Sequence, residues 1–204
     1  MLNIFMFAPG GDVLKKASLG KSRIEAISDG IYAIAMTLAV LSIDVDAVLP
    51  SHESLIEALP GMIGELRHYI ISFLTLASFW IGQHYLMDRI KVTDASLNWI
   101  IMLHLLFITL IPITTDVIGD FDSVLAVQIF VVNLFLISVS IDLEYIYVRR
   151  HPDLGLDKEI RKHKYLGMVI FPGFSVLVFF LAWPFQEWAT LLYVLIPFVR
   201  KSIN

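Results

Sequence analysis

Long apolar stretches separated by short polar connections set the pattern of this chain, over 23–45, 69–87, 97–118, 123–147, 165–183 and 186–199. At 1.5 Å per residue the first five are long enough, as helices, to cross about 30 Å of hydrocarbon. The sixth, QEWATLLYVLIPFV, is short for that distance, and length alone also fits a re-entrant segment. The first stretch carries no charge from Gly30 to Ile43, and Ile27, Ile31, Ile34, Leu38 and Leu41 recur three or four apart. That spacing places them on one stripe of a helix. Arg23, Ser28 and Asp29 stand at its start, where polar groups in lipid are costly unless they find partners.

Charge decides the sixth stretch. Lys15, Lys16, Lys21 and Arg23 precede the first span, Arg89 and Lys91 follow the second, and Arg200 and Lys201 close the chain. The fourth connection holds Arg149, Arg150, Lys158, Arg161, Lys162 and Lys164. Of the 15 Lys and Arg residues only Arg67 falls in an odd-numbered connection, and the first and third of these are acidic through Asp44, Asp46, Glu53, Glu57, Asp116, Asp120 and Asp122. Basic and non-basic sides alternate, so the pattern predicts six spans with both termini cytoplasmic. A re-entrant sixth segment would strand Arg200 and Lys201 on the wrong side.

Composition agrees with an all-α integral membrane protein: 57% of the 204 residues are hydrophobic and 17% charged, with a mean hydropathy of +0.76. Soluble domains carry about 45–50% apolar and about 25% charged residues. The absence of cysteine excludes disulfides, thiolate metal sites and cysteine nucleophiles. A net charge of -4 gives no general attraction to nucleic acid. No phosphate loop or nucleophile elbow occurs. No cofactor, metal or enzymatic activity is expected.

Residues 1–21 place an apolar run before their lysines, the reverse of a signal peptide, and read as a retained cytoplasmic N-terminal arm. The connections are short, so residues 22–204 form one six-span domain. Leu55 to Met62 reads as a short interfacial helix broken by Pro60 and Gly61, Pro172 with Gly173 as a kink in the fifth span, and Pro184 as the turn into the sixth. The polar signature of the first span does not recur in the fourth, so no inverted repeat is evident.

For several residues the pattern leaves two readings. Arg23, Ser28 and Asp29 serve either as a polar clamp on neighbouring helices or as contacts for a passing ion. Gly30, Ala33 and Thr37 form a small-residue face that admits another backbone. The stripe of Ile34, Leu38 and Leu41 either faces lipid or core, or forms apolar rings about a symmetry axis that close a pore by dewetting. Asp44 and Asp46 either concentrate cations at an outer mouth or are ordinary solvated charges. Glu65 and His68 share a helical face, without the second such pair that a di-iron bundle needs. His104 reads as a hydrogen-bonded packing residue, as do Asn133, Asp142 and Glu144. Tyr165, Trp183, Trp188 and Tyr193 read as belt aromatics at the membrane interfaces.

The run Arg23-x-x-x-Ile27-Ser28-Asp29-Gly30, followed by Ala33-Ile34 and Thr37-Leu38, resembles the R-x-x-x-F-S-D signature of the lysosomal potassium channel family called transmembrane protein 175, in its single-repeat prokaryotic branch. In the second span Ser72-Phe73, Phe79-Trp80 and His84 are similar to that family's S-F and W-x-x-H-H pattern. Ile27 stands where the family usually has Phe. Gln83 replaces the first histidine of the pair, which leaves His84 alone to bond the polar cluster.

The resemblance implies a homotetrameric, potassium-permeable cation channel in the cell membrane, multi-pass, with the first span of each subunit lining the axis. By the same resemblance Ile34 forms the constriction, Leu38 and Leu41 the further apolar rings, and Thr37 the position of ion preference. Arg23, Ser28, Asp29, Trp80 and His84 would form an inter-helix polar network. Monovalent cations and membrane lipids are the implied partners, with potassium as the permeant species. No carbonyl-filter sequence such as T-V-G-Y-G occurs, so selectivity is expected to be weak. The alternatives are a proton- or ion-coupled transporter using Asp29 and His84, and a non-conducting membrane assembly protein.

Overall fold

The computed structural model describes residues 20–42, 55–121, 123–155 and 166–195. Among these the regular secondary structure is all helical. Helix α1 spans Lys21–Leu38 and tightens into a 3₁₀ turn over Ala39–Ser42. Helix α2 spans Leu55–Asp88, α3 Ala95–Thr109, α4 Ile111–Asp120, α5 Val124–Arg150 and α6 Leu166–Phe185, followed by a 3₁₀ segment over Gln186–Leu195. Among the described residues five stretches are long and apolar enough to cross a membrane: Lys21–Leu41, Met62–Asp88, Ala95–Asp120, Val124–Arg150 and Ile170–Val194. The expected sixth span coincides with the 3₁₀ segment as far as Leu195, and 196–199 lie outside the described residues, as do the arm over 1–19 and Asp44 and Asp46.

Helix ends follow local chemistry. Asp94 caps α3 by accepting from the Leu97 N–H at 2.8 Å, and Ser123 caps α5 by accepting from the Ala126 N–H at 3.2 Å. Arg149 and Arg150 occupy the last turn of α5, where cations complement the helix dipole. Beyond it Gly155 takes φ 76°, and a side chain there would meet Lys91 at 2.9 Å. That close approach lets Leu154 O accept from Lys91 N at 2.9 Å, joining the α2–α3 connection to the end of α5.

The helix breaks differ from expectation at two prolines. Pro112 divides the expected third span into α3 and α4, with Leu110 N bonding Phe107 O at the junction. Proline lacks an N–H, and its ring would press on the carbonyl of Ile108 in a continuous helix. Conversely, α2 runs through Pro60 and Gly61 without the expected break. Pro60 is the sixth residue of α2, so its missing N–H removes one hydrogen bond from the second turn, and the helix continues past it. Helix α6 also contains Pro172 and continues to Phe185, just past Pro184; Gln186 then takes φ 47° and the chain turns into the 3₁₀ segment.

Helix α5 is the hub, packing against α3, α4 and α6, while α1 leans on α2 and α3. Apolar residues Ile101, Leu105, Ile108, Leu134 and Ile137 are fully buried at its centre. Buried hydroxyls return to their own helices: Thr75 donates to Ile71 O, Ser78 to Leu74 O and Thr115 to Ile111 O. This satisfies polar atoms without water. Tyr193 is no belt residue. It is buried between Phe130 and Phe174, and its hydroxyl donates to Ser175, because the 3₁₀ segment packs back on α5 and α6. Trp183 and Trp188 are exposed, and Tyr165 lies outside the described residues.

Arg67, the one cation in the odd-numbered connections, is clasped by Glu187 at 2.7 Å and stacks on Trp188 at 4.4 Å. His68, read beside Glu65, bonds Glu187 as well, at 3.1 Å. At the other end of the bundle Asp94 also accepts from the Tyr147 hydroxyl at 2.7 Å. Asp94→Ala removes both this bond and the cap, and is expected to lower stability by about 1–2 kcal/mol in detergent thermal unfolding. Asp94→Asn, which keeps the cap acceptor, should lose less.

Candidate functional site

Helix α1 has two unlike faces. Ile24, Ser28, Tyr32 and Ala35 are buried against the rest of the chain, and Ala39 continues the stripe beyond the helix. These positions are three or four apart, so they lie along one side. The opposite side is bare: Ile34 is 58% exposed, Leu38 45% and Leu41 74%. Arg23, Ile27, Gly30, Ala33 and Thr37 are exposed on that side too. Ile31, placed with the apolar stripe by spacing alone, is half-buried and packs on the core.

Thr37 lies among the exposed branched residues. Its hydroxyl donates to Ala33 O at 3.0 Å and to Ile34 O at 2.9 Å. With its proton so engaged, the oxygen presents lone pairs outward, as a cation requires.

The polar residues named from sequence are partly brought together. The Trp80 indole N–H donates to Asp29 Oδ1 at 2.9 Å, tying α2 to α1. His84 stacks on Trp80 with ring centroids 5.4 Å apart, and its Nε2 lies 3.5 Å from Asp88 rather than on Asp29. Arg23 is exposed and pairs with neither Ser28 nor Asp29 within the chain, and the buried Ser28 Oγ has no hydrogen-bond partner among the described residues. Gln83, in the place of a histidine, is buried and donates a long 3.5 Å hydrogen bond to Glu144 Oε1.

A second attachment of α1 involves a residue that the sequence reading passed over. The Tyr32 hydroxyl meets His104 Nε2 at 2.6 Å, and His104 Nδ1 meets Ser140 Oγ at 2.9 Å. His104 is thus the packing histidine expected, though its partner is the buried side of α1. The available signal was an isolated imidazole in an apolar span, which must find a buried partner.

Residues 23–112 match the family described as endosomal/lysosomal potassium channel TMEM175. Over that stretch the chain is similar to TMEM175 channels. The matched stretch contains both ends of the Asp29–Trp80 and Tyr32–His104 bonds. A potassium channel of Chryseobacterium sp. strain P1-3 is 39% identical over 48% of this chain and 49% of its own length. The endosomal/lysosomal proton channel TMEM175 of Gallus gallus is 27% identical over 91% of this chain and 42% of its own. The chain thus spans about half the length of these relatives. Its fold matches the crystal structure of a lysosomal potassium-selective channel TMEM175 homolog from Chamaesiphon minutus, with a TM-score of 0.70 and 23% identity, covering 90% of this chain and 98% of that one. These similarities are to ion channels.

Trp80→Phe keeps an aromatic ring against His84 but removes the donor to Asp29. It is expected to cost about 1 kcal/mol, the discount reflecting partial exposure. A double-mutant cycle with Asp29→Asn should return a coupling energy of that size.

Proposed function

We propose that this chain is one subunit of a potassium-permeable cation channel with weak selectivity, four copies of which surround a central pore lined by α1. The two-faced first helix carries the reading. Lipid alone would not call for Arg23, Asp29, Gly30, Ala33 and Thr37 on an exposed face, and exposed charge there is costly. Gly30 and Ala33 let the backbone of another copy approach.

Around a symmetry axis, Ile34, Leu38 and Leu41 become stacked rings of branched apolar side chains that constrict the pore by dewetting. Thr37 supplies a hydroxyl oxygen among these rings and sets ion preference. Asp29, Trp80 and His84 brace the pore helix, the exposed Arg23 extends the network to the contact with a neighbouring copy, and Ser28 belongs to the side packed within the subunit. The names borne by the relatives, potassium channel and proton channel, support cation passage.

In this reading the protein is a cell-membrane protein with residues 22–204 as the channel domain, residues 1–21 as a cytoplasmic arm and both termini cytoplasmic. Gln186–Leu195 begins the sixth span; at about 2.0 Å per residue its 3₁₀ geometry reaches farther than an α-helix of equal length. Asp44 and Asp46 draw cations to the outer mouth.

Reconstituted in liposomes under a potassium gradient, the protein is expected to pass potassium. Ile34→Asn should raise that flux several-fold by wetting the constriction. Absence of flux, or flux unchanged by Ile34→Asn, overturns this placement of the constriction. Saturable, pH-driven counterflow would favour instead a coupled transporter using Asp29 and His84.

A further inference from the structure

We infer that Tyr32 and His104 are positioning residues for the pore-lining helix: their buried hydrogen bond sets the rotation of α1 about its own axis, and with it the side chains that face the pore. The inference rests on the channel reading for its consequence, but the geometry of the contact stands independently of it.

Tyr32 precedes Ile34 by two residues, which at about 100° per residue places the two on nearly opposite sides of the helix. The phenol is 1% exposed and His104 0%, so no solvent replaces their 2.6 Å hydrogen bond when it is broken. The loss then carries the full desolvation cost of both groups. By contrast, the Asp29–Trp80 bond is exposed and weaker as a restraint. Of the other side chains that α1 buries, Ile24 and Ala35 are apolar and non-directional, and the Ser28 hydroxyl has no partner among the described residues. A rotation of about 20° moves the end of a side chain about 2 Å at the radius of a helix, enough to break a hydrogen bond. A directional, sealed contact therefore fixes the rotation in a way that the apolar contacts do not.

His104 is itself held from behind. Ser140 donates its hydroxyl to Ile137 O at 2.8 Å, so its oxygen is left to accept from His104 Nδ1–H at 2.9 Å. Nε2 then carries the lone pair that accepts from the Tyr32 hydroxyl. Glu144 Oε1 lies 4.0 Å from Nδ1 and receives the Gln83 amide from α2. The imidazole is thereby oriented by α5, the hub of the bundle, and conveys that orientation to α1.

The chain contains no cysteine, so a single introduced thiol carries a spin label without background. Nitroxides placed one at a time at positions 33 to 38, in the full chain in liposomes, report the angular phase of exposure of α1 to oxygen and to a water-soluble relaxant. In the Tyr32→Phe background, which keeps the ring, that phase is expected to shift by about 20° or more. The potassium-to-sodium flux ratio of Tyr32→Phe should change with it. His104→Gln, whose amide oxygen can accept from Tyr32, should retain more of the native phase than His104→Leu. An unchanged phase in Tyr32→Phe overturns the inference even if Ile34→Asn alters flux as expected. A shifted phase with no flux from the unmodified protein would refute the channel reading and leave the rotational anchor in place.

Discussion

A polar group inside hydrocarbon must find its partner within the protein, and the organisation of this chain depends on that requirement. Backbone groups meet it by forming helices. The hydroxyls of Thr75, Ser78 and Thr115 meet it on their own helices. Tyr32, His104 and Ser140 cannot be served so locally and meet it by linking three helices in sequence. What results is a bundle centred on α5, in which polar contacts such as Tyr32–His104 link one helix to the next.

The first helix shows what such a bundle is able to leave bare. One side of α1 is committed to the subunit through Ile24, Ser28, Tyr32 and Ala35, and the other presents Ile34, Thr37, Leu38 and Leu41 outward. These two commitments are coupled, because the rotation that seats Tyr32 on His104 is the same rotation that aims Ile34 and Thr37 away from the bundle. Elsewhere Pro112 interrupts a span in its middle, whereas α2 continues through Pro60 in its second turn and α6 through Pro172.

Charge is arranged with comparable strictness. Arg67, at the end of the bundle otherwise lacking Lys and Arg in its connections, is neutralised by Glu187 and laid across Trp188. At the other end Asp94 joins the start of α3 to Tyr147 near the end of α5, close to Arg149 and Arg150. The exception in the charge pattern is therefore a cation paired with an anion at 2.7 Å.

The helical class, the five long apolar stretches and the two faces of α1 were legible in the amino-acid sequence, because they depend on hydropathy counted over about 20 residues and on a period of three to four. The family signature was legible for the same local reason, since Arg23, Ser28 and Asp29 lie within six residues of one another, and Trp80 and His84 within four. The break before Pro112 was equally local and was overlooked. Tertiary structure alone decided which long-range partners meet: Tyr32 with His104 across 72 residues, His68 with Glu187 across 119, and Tyr193 with the aromatic core rather than the interface. Periodicity states which side of a helix seeks cover, but not which neighbouring helix supplies it. That second choice depends on packing all the helices together, and here it decided that the histidine of the third span anchors the first.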